Sequence, residues 1–95
     1  MTTHKERARK AADAMFAALP ANIRDCDIGE AIDWARKTLT NHEGSGHYFY
    51  LHSDKPGLFC CSFAKPEWAG DHCSDHYDSA NEAIVMAVCE YLSGC

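Results

Sequence analysis

The stretch from Asp78 to Leu92 reads Asp-Ser-Ala-Asn-Glu-Ala-Ile-Val-Met-Ala-Val-Cys-Glu-Tyr-Leu, and it constrains the fold more than any other. Ser79 and Glu82 have the spacing of a capping box, which predicts a helix start. Behind that start Ala80, Ala83, Ile84, Ala87, Val88, Tyr91 and Leu92 recur at helical spacing and make one apolar face. Val85 and Cys89 widen that face, so the helix is expected to be buried along most of its length. A chain of 95 residues forms one domain. It buries roughly two thirds of its unfolded surface, enough for one modest core. The segments that come before are therefore expected to cover this helix.

The first helix is predicted from Thr3 to Leu19, opened by a Thr3/Glu6 capping box and stopped by Pro20. Its stripe is Ala8, Ala11, Ala12, Met15, Phe16 and Leu19. It is alanine-rich at the start, which suggests that residues 1–20 are peripheral and free to dock on a partner. The linker Pro20 to Cys26 has no period. Asp27 and Glu30 then open a second helix, Ile28 to about Thr40. Its inward face is Ile28, Ala31, Ile32, Ala35 and Leu39, with Trp34 at the core edge. After the turn residues Asn41 to Gly46 the period changes to two. His47 to His52 and Leu58 to Ala64 read as strands of an antiparallel hairpin about Asp54 to Gly57. Phe49, Leu51, Phe59, Cys61 and Phe63 are the expected inward residues. A short third strand is expected within Gly70 to Asp78, with Cys73 and Tyr77 on one side. The class is α+β, in the order α-α-β-β-(β)-α, with helices packed on a small antiparallel sheet.

Charge narrows the function. The net formal charge is -5, and residues 66 to 95 contain six acids and no Lys or Arg. Such a chain repels nucleic acid but complements a basic protein surface. No apolar run is long enough to span a bilayer, and the opening residues lack the apolar stretch of a secretory signal. A cytoplasmic location is the expectation, in which the six cysteines are thiols or metal ligands.

Three kinds of site compete. Glu67, Trp68, Asp71, Asp75, Tyr77 and Asp78 cluster in and around a loop, and aromatics beside acids are common interface material. The alternative is zinc. His52, Cys60, Cys73 and His76 offer four ligands, with Cys73 and His76 in a Cys-x-x-His spacing, but Cys60 and Cys61 are adjacent and point to opposite sheet faces. Third, Cys73 beside His72, Asp75 and His76 contains the ingredients of a thiolate nucleophile, without an oxyanion loop. No phosphate-cradling, dinucleotide or paired-carboxylate pattern occurs. Stoichiometric protein binding without a cofactor is the preferred reading, and a zinc-stabilised interaction module is the alternative.

Asp27 to Ala35, followed by the aromatic strand and by Ser79 to Ile84 opening the last helix, resembles the small phage ABA-sandwich domains. The likeness covers about residues 27 to 92. The His- and Cys-rich stretch from His72 to His76 and the first helix depart from it. The resemblance implies helices on an antiparallel sheet and a phage or prophage origin, and supplies no catalytic residues. By analogy of class it points to an anti-CRISPR-like inhibitor of a host defence nuclease complex, bound at a basic, nucleic-acid-binding surface.

Overall fold

The computed structural model describes residues 3–94. The elements are α1 (His4–Ala18), α2 (Ala21–Arg24), α3 (Ile28–Glu43), β1 (Tyr48–Lys55), β2 (Leu58–Ala64), β3 (His72–Cys73) and α4 (Ala80–Leu92). The strands form one antiparallel sheet in the order β1-β2-β3. The chain is thus α+β, as its periods predict.

α4 is the middle layer. One side packs on β2, and α1 and α3 pack on its other sides. Every residue from Ala83 to Glu90 is buried. A helix apolar nearly all round needs cover all round, and here it receives it. Ile84, Val85, Met86 and Val88 are fully or almost fully buried. Each such side chain contributes about 1.5–3 kcal/mol of transfer free energy. α1 and α3 pack chiefly on α4, which in turn packs on the sheet.

The helix starts follow local chemistry. Thr3 Oγ1 accepts from Glu6 N at 3.1 Å, and Asp27 Oδ1 accepts from Glu30 N at 2.8 Å. At α4 the expected capping box does not close, since the Ser79 side chain makes no capping bond. α3 runs to Glu43, one turn further than expected, and ends at Gly44, whose φ of 95° suits glycine. Residues 21–24, read as an aperiodic linker, make the one-turn α2.

α1 is not peripheral. Ala8 and Ala12 are buried, and small side chains let its backbone approach α4 closely. On α3, Ala31, Ala35 and Leu39 are buried and Trp34 is half-buried at the core edge, while Ile28 in the opening turn is exposed, against expectation.

β1 pairs with β2 in the register Phe49↔Phe63 and Leu51↔Cys61. It continues to Lys55, so the turn tightens to Pro56-Gly57, with Gly57 at φ 74°. Phe63 and Cys61 are fully buried under α4, and Phe49 is half-buried. Leu51, expected in the core, is 43% exposed. It points to the core face, but β1 is the edge strand and α4 packs chiefly on β2. Cys73 and Tyr77 do not share a side. Ser62 pairs with Cys73, and Phe59 bridges Tyr77. The third strand therefore carries one residue more than β2 over this span, a bulge that turns Tyr77 toward the core cluster and leaves Cys73 exposed.

Among the described residues no helix is long and apolar enough to cross a membrane.

Candidate functional site

The segment between β2 and β3 is folded back by a turn in which Trp68 N donates to Lys65 O at 3.0 Å. This lays the Trp68 indole on the rings at the end of the core. Its centroid lies 6.0 Å from Phe63, 5.7 Å from Tyr91 and 5.7 Å from His47. Trp68 is therefore half-buried. The next residues return to pair His72 with Phe63. A shallow hollow of about 270 Å³ is left, walled by Trp68, His72 and Tyr91, with Gly70 and Asp71 at its rim.

Burial pushes the His72 imidazole below its ordinary pKa, so the ring is neutral near pH 7. The Glu43 carboxylate, with some burial, pushes the Tyr91 phenol up to about 12. Asp71 is exposed. The Tyr48 phenol is pushed up by desolvation first, then by Tyr50 and Asp71. The sheet also has an outer face, on the side away from α4. On that face Tyr48, Tyr50 and His52 stand in a row, with ring centroids 5.4 and 6.2 Å apart. Alternation directs them away from α4. Tyr48 and Tyr50 are 37% and 47% exposed, beside small buried residues of β2: Cys60, Ser62 and Ala64.

The expected acidic patch is divided. Glu67 lies 3.6 Å from Lys65 Nζ. Asp78 is exposed just ahead of α4, where a carboxylate favours the helix dipole. Asp75 and Tyr77 belong to a clasp that the sequence did not reveal. Arg9 Nη1 donates to Asp75 Oδ2 at 2.7 Å, to Tyr77 Oη at 2.7 Å and to Glu90 Oε1 at 3.0 Å. Glu90 is 3% exposed and also accepts from Tyr77 Oη and from Asp75 N. Burial pushes its carboxyl up to about 7, against the pull of these donors. A larger hollow of about 630 Å³ opens beside this clasp, between the start of α1 and β3. A carboxyl near neutrality suits proton transfer, but the Glu90 oxygens are already engaged in tying α1 to α4. The signal for the clasp was an Arg in α1 facing a Glu in the apolar α4, legible only once the helices are known to touch.

The zinc ligands do not converge. His52 and Cys60 are cross-strand partners, and Cys73 pairs with Ser62. Among the described residues no group of three His, Cys, Asp or Glu side chains is placed to hold a metal ion. Burial pushes the thiols of Cys61 and Cys89 up to about 12, so both behave as small hydrophobes. The exposed Cys73 directs its thiol at the Ser74 carbonyl, 3.5 Å away.

Of the expected contact residues, the structure brings Trp68 and Asp71 together and assigns Asp75 and Tyr77 to the clasp. Sequence reasoning missed His72 and Tyr91 as their neighbours. The outer-face position of Tyr48 and Tyr50 is implied by the inward assignment of Phe49. Comparison with protein-family models, with curated proteins and with solved structures found no match.

Proposed function

We propose that the protein is a non-enzymatic binder that acts stoichiometrically on another protein, and that the partner presents a basic surface of the kind that otherwise holds nucleic acid. The observation that supports this most is the outer sheet face. Tyr48 and Tyr50 stand exposed on the side away from α4. Tyrosines on a rigid strand offer large contact area at small entropic cost, and tyrosine is enriched at interface hot spots. The absence of Lys and Arg from residues 66 to 95 favours a cationic partner. In its most specific form, the partner is a host defence nuclease complex and the protein a phage-encoded, anti-CRISPR-like inhibitor. That is the class suggested by the resemblance over residues 27 to 92.

Affinity capture from host lysate, run in parallel with wild type and with the Tyr48→Ala/Tyr50→Ala variant, tests the reading. Wild type is expected to retain a basic protein in equimolar amount. The variant, with an unchanged circular dichroism spectrum, is expected to lose it. Equal retention by both proteins would refute the assignment of this face.

A further inference from the structure

We infer that the hollow walled by Trp68, His72 and Tyr91, with Asp71 at its rim, receives one arginine side chain of the protein partner. This rests on the binding reading above and names the chemistry of its central contact.

The walls are aromatic and fixed from behind. Phe63 is fully buried, and the rings of Trp68, His72 and Tyr91 lie 6.0, 5.3 and 5.2 Å from it. Indole is the strongest cation–π acceptor among side chains, and tyrosine also serves. Trp68 and Tyr91 are tilted by 34°, a shallow wedge on which a flat guanidinium can lie and into which a bulky apolar group fits poorly.

Two polar groups complete the recognition. The exposed Asp71 carboxylate at the rim can accept the two-pronged donation of a guanidinium. His72 Nε2 is buried and has no hydrogen-bond partner. Buried polar atoms seldom stay unsatisfied, and an N–H of an arriving guanidinium would give this nitrogen a partner. Because the imidazole is neutral, this wall does not repel a cation. The volume, about 270 Å³, suits a side-chain head group and not a folded element.

The test uses the Trp34→Phe background, in which Trp68 is the remaining tryptophan, and follows its fluorescence and its indole N–H resonance. The probes are an end-blocked arginine tripeptide and its citrulline counterpart, an uncharged isostere, at equal ionic strength. The arginine peptide is expected to give a saturable change at Trp68, with the citrulline peptide about tenfold weaker. Asp71→Asn, an exposed change that spares the fold, is expected to weaken arginine binding about threefold to fivefold. Equal affinity for both peptides, or no effect of Asp71→Asn, would overturn the inference. Neither result depends on the lysate capture, so failure of the hollow and failure of the binding reading are separable.

Discussion

Arg9→Met tests whether the clasp holds α1 in place, and its effect should depend on pH. Methionine keeps the length and helix propensity of the stem and removes only the guanidinium. That group bonds Glu90, Asp75 and Tyr77 and also lies 3.1 Å from Asp13. Removing the cation leaves an ionised Glu90, 3% exposed, without its charge partner. Breaking a buried pair costs about 3–5 kcal/mol, and because the Arg9 side chain is itself 35% exposed we discount this to about 2–3 kcal/mol. For a domain of this size the loss lowers Tm by about 10–20 °C. Glu90 has a folded pKa raised to about 7 from 4.5. A raised carboxyl contributes stability that is full below the unfolded pKa and is lost as pH rises through the folded value. At pH 5 Glu90 is mostly protonated in the fold, and Arg9→Met costs only its exposed pairs, about 0–1 kcal/mol. At pH 8.5 the carboxylate is ionised and the full loss appears. Thermal melts of both proteins at the two pH values measure the difference. An equal loss at both, or none at pH 8.5, would refute the reasoning.

Ile84→Ala removes a side chain buried to 1% between the sheet and the other helices and should cost about 2–5 kcal/mol, read by chemical denaturation; an unchanged midpoint would deny α4 its organising role. Purified protein is expected to contain no stoichiometric zinc and to keep its Tm in a chelator; one zinc per chain, lost in Cys73→Ser, would restore the zinc reading.

α4 was legible because its apolar residues recur at a helical period in a stretch without Gly or Pro, and burial on all sides follows from that pattern. The hairpin was legible from alternation about Pro56-Gly57. Alternation assigns a face but not its cover, which is why Leu51 was misplaced: it points inward on an edge strand to which α4 barely extends. The alanines of α1 looked weak because transfer energy scales with side-chain area, whereas here their smallness allows close packing, with Ala8 and Ala12 buried. Trp68 in an acidic loop reads as a contact residue. Its position on Phe63 and Tyr91 is a long-range contact that no local period encodes. Reversing Asp75, attractive from sequence alone as a test of binding, would set a lysine against Arg9 and perturb the fold instead.

Hydrogen–deuterium exchange of the protein alone and in complex with its captured partner tests the assigned surface most directly. Protection is expected to rise along residues 48–52 of β1 and across 68–72, while the outer sides of α1 and α3 exchange as before. Protection confined to α1 or α3, with β1 unchanged, would contradict the assignment of the sheet face and the hollow as the binding surface.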